Sequence, residues 1–175
     1  HPWADITTFS FHPVKTMTTG EGGMLVTDND EHAERARRLR SHGMTREPKD
    51  FCGLGTSELG EYGPWYYEMQ GLGYNYRITD LQCALGISQL SRLNQFVERR
   101  REIVKRYNSA FSPLPTLTTP KLRNAADETL TSWHLYTLLI DCGKTGRTRS
   151  EIMADLRENE ILTQVLYIPV HLQPW

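Results

Sequence analysis

Polar and apolar positions alternate near the start of the chain, where "DITTFSF" predicts a strand over Thr7–Phe11. "GGMLVTD" is a short apolar run behind glycines and predicts a second strand ending near Thr27. Asp28 with Glu31 reads as a helix start, and Ala33, Ala36 and Leu39 carry helical spacing to a stop before Gly43. From His42 to Gly73 the periodicity is lost. Within that segment "GPWYYEMQGLGYNYR" predicts a short strand or hairpin around Tyr66 to Met69, and its aromatic density argues against disorder. Thr79 and Gln82 form a capping box, behind which Leu81, Ala84, Leu85, Ile87, Leu90 and Leu93 mark an apolar helix face. A second or bent helix follows with Phe96, Ile103, Val104 and Tyr107 inward, stopped by Pro113 and Pro115. "TSWHLYTLLID" predicts a strand with His134 as a packing residue. Thr148 and Glu151 cap another helix, and "LTQVLYIPV" closes as a strand running into Pro169. The expected architecture is α/β: an α/β piece over 1–113 followed by a small α+β domain over 114–175.

Composition narrows the function classes. With 20 basic and 21 acidic side chains in 175 residues, the chain has no electrostatic footprint for nucleic acid. Cys52, Cys83 and Cys142 are odd in number and lack CxxC spacing, which reads as reduced thiols in a cytoplasmic protein. No apolar run approaches the roughly 20 residues of a membrane span, so a soluble protein is expected. His1-Pro2-Trp3 has no signal-peptide character. The chain starts without Met, which suggests a fragment.

Most catalytic motifs are missing. There is no GxxxxGK[ST], no GxGxxG opening a helix, no GxSxG elbow, and no HExxH or Cys/His cluster, so no metal is expected. The arginines of the first helix and of "ERRRE" read as solvated faces. "SFHPVKTMTTGEGGM" is different. Its Lys15 amine can attack a carbonyl and form a Schiff base with a substrate or with pyridoxal phosphate (PLP). Ser10 offers a hydroxyl for a phosphate, and Gly20, Gly22 and Gly23 let backbone approach a ligand closely. Taken alone, these residues also allow Lys15 to be a surface charge.

In this order and spacing, "SFHPVKTMTTGEGGMLVTD", "RLRSHGM", "GYNYRITDLQCALGISQL", "VERRREIVKRY", "HLYTLLID" and "YIPVHLQP" resemble the DegT/DnrJ/EryC1/StrS family of sugar aminotransferases. The resemblance implies part of a PLP-dependent, fold type I large domain over 1–113 and an incomplete small domain over 114–175. It implies that Lys15 holds PLP as a Schiff base and then serves as the acid/base of proton transfer. Ser10 would contact the cofactor phosphate, and Asn75 would reach the phosphate of the other subunit in a homodimer with a shared active site. Arg77, His42 and His171 are implied as substrate-lining residues, with a structural role for Arg77 equally open. The variants here most resemble the branch that moves an amino group from L-glutamate to the C4 keto group of a UDP-linked 4-keto-6-deoxy-N-acetyl sugar in pseudaminic acid biosynthesis. One departure is Leu166 in "VLYIPVH", where the family commonly has histidine; leucine can neither donate a hydrogen bond nor titrate. The family's stacking aromatic, its acid at the pyridine nitrogen and the end of its small domain have no counterpart here. A piece of an enzyme, inactive alone, is therefore expected. The alternatives are a catalytically silent fragment or dimerisation module, and an aminotransferase for another 3- or 4-keto nucleotide sugar. A dehydratase-type relative would replace the lysine, commonly with histidine, and Lys15 argues against it.

Overall fold

The computed structural model describes residues 3–52 and 63–174; His1, Pro2, the 53–62 part of the expected long loop and Trp175 lie outside the described residues. The architecture mixes helix and strand, α/β, and divides into two compact units, His1–Val97 and Glu98–Trp175.

The first unit opens with an antiparallel hairpin. Strands β1 (Thr7–Ser10) and β2 (Gly23–Val26) pair with Thr7 opposite Val26 and Ser10 opposite Gly23. Helix α1 (Asp30–Arg40) is capped by Asn29, whose Oδ1 accepts from the His32 amide at 3.1 Å. The expected Asp28/Glu31 start is thus shifted by one residue, because Asn29 is the extended residue whose side chain reaches an open amide. Asp30 and Glu31 in its first turn and Arg37, Arg38 and Arg40 in its last complement the helix dipole. Strands β3 (Met44–Thr45) and β4 (Glu68–Met69) pair antiparallel. The expected strand around Tyr66 to Met69 is therefore present, though its partner is too short to show a period. Helix α2 (Asp80–Leu90) carries the expected Thr79–Gln82 capping box, and α3 (Leu93–Phe111) follows almost at once and crosses the division between the units.

Beyond α1 the backbone doubles back at unusually short range. His42 (φ 62°) and Gly43 (φ 69°) are both left-handed, which is costly for the histidine. A Cβ on Gly43 would lie 2.0 Å from the Gly71 carbonyl oxygen, and one on Gly73 would lie 2.0 Å from the Gly43 nitrogen. Two strands of backbone touch here where no side chain fits.

In the second unit, β5 (Leu117–Thr118) pairs antiparallel with β6 (Leu139–Ile140), and α4 (Cys142–Thr145) and α5 (Arg149–Glu158) follow. The strand expected over "TSWHLYTLLID" is paired only at Leu139–Ile140, since β5 offers just a short ladder. The residues before it are held by side chains instead. Arg100 Nη1 donates to the carbonyls of Trp133 and His134, both at 3.2 Å, and Arg101 donates to the Thr129 carbonyl and to Glu98. These two arginines are half-buried ties, not the solvated face expected of "ERRRE", because they satisfy carbonyls that no strand pairs. Tyr107 packs against Phe111 (ring centroids 5.4 Å) and Tyr136 (5.1 Å), and the Tyr136 hydroxyl donates to Asn108 at 2.7 Å. Burial pushes the Tyr136 pKa up. Residues 162–169, expected as a closing strand running into Pro169, belong to no sheet among the described residues, and all are exposed.

Little apolar surface is buried. Among the described residues Val104, 6% exposed, is the buried hydrophobic side chain, and no large side chain is fully buried. The α2 face is open, with Leu81 85% and Ile87 72% exposed, as are Phe9, Met24, Leu25 and Val26 of the hairpin. Covering each exposed leucine or isoleucine would stabilise the assembly by up to about 1.5–3 kcal/mol.

Two tests follow from this packing. Gly73→Ala in the full-length protein is expected to cost about 3 kcal/mol in chemical denaturation, because the backbone it meets cannot yield. Gly71→Ala, where a Cβ meets nothing within 4 Å, should change stability by less than about 0.5 kcal/mol; equal costs would refute the contact. The second concerns α5, where Glu151 accepts from the Thr148 amide at 2.7 Å and its hydroxyl at 2.8 Å, which holds the carboxyl below the ordinary glutamate pKa. A lowered folded-state pKa means the contribution is present above the ordinary value and lost as pH falls through the lowered one. The melting temperature of wild type should therefore exceed that of Glu151→Gln at neutral pH and converge with it in acid below the ordinary glutamate range.

Candidate active site

The β1–β2 connection carries Lys15. Its neck is closed by the Phe11 amide on the Gly22 carbonyl at 2.9 Å and the Thr19 amide on the Phe11 carbonyl at 3.0 Å. Thr18 Oγ1 donates to the same Phe11 carbonyl at 2.9 Å and accepts from the Gly20 amide at 2.9 Å. Within the loop the Lys15 amide donates to the His12 carbonyl at 3.0 Å, making a tight turn just ahead of the lysine side chain. Lys15 is half-buried and sits beyond the strand end, inside the loop. Ser10 is the last residue of β1, exposed, so the hydroxyl and the amine belong to the same end of one hairpin. Gly20 takes φ +80°, the left-handed turn that brings the chain back.

That loop rests on α2. Thr19 is 4% exposed, and its Oγ1 donates to the Glu21 carbonyl at 2.7 Å. A Cβ on Gly86 would lie 2.9 Å from Thr19 Cγ2, so the helix is flattened where the loop lies against it. Gln82 Nε2 donates to the Glu21 carbonyl at 2.9 Å. From the sequence Gln82 is legible only as a cap and Gly86 not at all; the available signal was a glycine in the middle of an apolar helix face.

A second group of residues gathers at the end of α1. The Tyr74 amide donates to the Leu39 carbonyl at 2.7 Å, the His42 amide to the Tyr74 carbonyl at 2.8 Å, and the Tyr76 amide to the Arg40 carbonyl at 3.0 Å. Asn75 is bridged antiparallel to Ser41. The rings of Tyr74 and Tyr76 stack at 4.9 Å with an interplanar angle of 10°. In an extended segment alternate residues share a face, which puts Asn75 and Arg77, both exposed, opposite the tyrosines. His42 lies beside Asn75 through this bridge. Arg38, expected on a solvated face, instead donates to Gln70 at 2.9 Å and Asp50 at 3.1 Å, and Thr45 Oγ1 adds to Asp50 at 3.2 Å. The loop after β3 supplies Asp50, which is why helix periodicity alone could not place this arginine. His171 lies in a 3-10 turn, Val170–Leu172, of the second unit, and Leu166 in the exposed irregular segment before it.

The donor set of the first unit suits a phosphorylated aldehyde: a primary amine, a hydroxyl at the same hairpin end, and an exposed amide and guanidinium on one face of 75–77. Among the described residues no cluster of three or more His, Cys, Asp or Glu could hold a metal ion, and no helix is long and apolar enough to cross a membrane.

Comparison with known proteins places the chain among sugar aminotransferases. The DegT/DnrJ/EryC1/StrS aminotransferase family matches residues 2–175. The chain is 43% identical over 172 residues to the spore coat polysaccharide biosynthesis protein SpsC of Bacillus subtilis, covering 98% of this chain and 42% of SpsC. It is 37% identical over 168 residues to the UDP-4-amino-4,6-dideoxy-N-acetyl-beta-L-altrosamine transaminase of Campylobacter jejuni, covering 96% and 40%. Spr1654 of Streptococcus pneumoniae in its PMP form superposes with a TM-score of 0.76 at 27% identity, over 98% of this chain and 40% of that one; its PLP form has also been solved. The chain thus spans about two fifths of the length of these relatives. Helix and strand order, the lysine loop and the match along almost the whole length lead to one assignment: the chain belongs to the DegT/DnrJ/EryC1/StrS aminotransferase family.

Proposed function

We propose that the full-length protein is a PLP-dependent aminotransferase that moves an amino group from L-glutamate to the C4 keto group of a UDP-linked 4-keto-6-deoxy-N-acetyl sugar, as in pseudaminic acid synthesis. The observation that carries the reading is Lys15 in a pinned hairpin loop, at the same hairpin end as the Ser10 hydroxyl. The named activity of the Campylobacter relative supports the sugar class. SpsC, with a different printed role, supports a polysaccharide precursor more broadly, so the alternative substrate is another keto nucleotide sugar.

Bound PLP supplies an electron-withdrawing ring that stabilises negative charge at the amino-bearing carbon. This chain's residues do the rest. Lys15 Nζ would hold the cofactor by its aldehyde carbon, the aldehyde oxygen leaving as water, and as a free amine would take up and return the proton at the amino-bearing carbon. Ser10 Oγ donates to a phosphate oxygen. Asn75 supplies an amide to the phosphate of a partner subunit, which makes a homodimer with shared sites the working unit. Arg77 pairs with the sugar nucleotide's diphosphate, for which a guanidinium fork is well matched. His42 lines the same region. His171 is carried as a substrate residue on the family resemblance alone. UDP-sugar and glutamate as substrates place the reaction in the cytoplasm.

The test is borohydride reduction of the full-length protein with PLP, followed by peptide mass spectrometry. A pyridoxyl group on the Lys15 peptide, absent in Lys15→Ala, is the expected result, with 2-oxoglutarate formation from glutamate and the 4-keto UDP-sugar falling more than about a thousandfold in the variant. Labelling of a different lysine, or undiminished turnover in Lys15→Ala, would sink the assignment.

A further inference from the structure

We infer that Gln82 is a positioning residue for Lys15: its side-chain amide caps α2 with Oε1 and pins the returning limb of the Lys15 loop with Nε2. The inference rests on the reading of Lys15 as the cofactor-bearing residue.

The geometry is specific to an amide. Oε1 accepts from the Thr79 amide at 2.9 Å and the Thr79 hydroxyl at 3.0 Å, while Nε2 donates to the Glu21 carbonyl at 2.9 Å. A peptide N–H can only donate and a peptide carbonyl can only accept, so the two ends of the amide cannot be exchanged. For capping alone, a glutamate would serve as well, with the helix dipole in its favour. A carboxylate has no proton for Glu21. The choice of glutamine is therefore explained by the loop rather than by the helix.

The Glu21 carbonyl is where the loop is held twice, by Gln82 from the helix and by Thr19 Oγ1 from within. Thr19, buried against Gly86, also returns its amide to Phe11 at the loop's neck. Lys15 lies between these fixed points. Releasing Glu21 frees the limb that seats Thr19, and the lysine loses its fixed direction without any change to its own chemistry. The side-chain bonds of Gln82 go to Thr79 and Glu21, so its effect on Lys15 runs through the loop.

The experiment compares wild type, Gln82→Glu and Thr79→Ala in the full-length protein freed of cofactor, using hydrogen exchange read by mass spectrometry over residues 11–22. Gln82→Glu keeps the cap and loses only the donor to Glu21. It should keep its melting temperature while the loop amides exchange about five-fold faster, the worth of one hydrogen bond. On adding back PLP, its apparent Kd should rise by a similar factor. Thr79→Ala loses the cap hydroxyl and keeps the donor; it should melt earlier with loop exchange unchanged. Loop exchange in Gln82→Glu equal to wild type, or acceleration equally large in Thr79→Ala, overturns the clamp. Absence of a borohydride-fixed pyridoxyl on Lys15 in wild type overturns the reading beneath it, a failure the exchange data cannot mimic.

Discussion

A helix leaves its last carbonyls without partners of its own, and in α1 those of Leu39 and Arg40 are taken by the amides of Tyr74 and Tyr76. The chain can deliver them only because it turns left-handed at His42 and Gly43 and passes Gly73 at backbone distance. Much else in the first unit hangs on this junction. It lays Asn75 and Arg77 along one face and leads after Ile78 into the cap of α2. Helix α2 in turn supports the loop that carries Lys15. The strap that carries Asn75 and the loop that carries Lys15 are thus linked through the cap of α2.

The same unit leaves much of its apolar surface in water. The leucines and isoleucine of α2 and both faces of the hairpin are open, and burial in this chain is concentrated at Thr19, Thr45 and Val104. The driving force for holding these elements together is accordingly weak in area and strong in directed bonds, the reverse of an ordinary domain core. Surfaces of this kind are stable when another layer covers them. The family relatives are more than twice as long, which supplies chain enough for such a layer.

The legible part of the fold was the part written in local pattern. The Thr79–Gln82 and Thr148–Glu151 caps, the long helix stopped by Pro113, and the hairpin flanking Lys15 each depend on neighbours a few residues away. What was not legible depends on distant partners. Arg38 and Arg100 look like surface charges on a helical wheel, yet each satisfies groups brought from elsewhere in the chain. Residues 162–169 have the composition of a strand, but a strand needs a ladder partner, and composition cannot say whether one is present. The site followed the same rule. Lys15 and Ser10 stood out by chemistry and resemblance, whereas the support from Gln82 and Gly86 is invisible without the third dimension.

The two halves of the site also differ in how far the chain must travel to build them. Thr18 and Phe11 lie 7 residues apart, while Arg38 and Gln70 lie 32 apart and Gln82 reaches back 61 residues to Glu21. Closing the longest of these loops costs about 2 kcal/mol more chain entropy than the shortest. The expected order of assembly is therefore the lysine hairpin first, then the strap at the end of α1, and last the docking of α2. A chain emerging from the ribosome would hold Lys15 in a formed but unsupported turn until Gln82 had been made, so the lysine loop gains its outside support only after the helix that follows the strap.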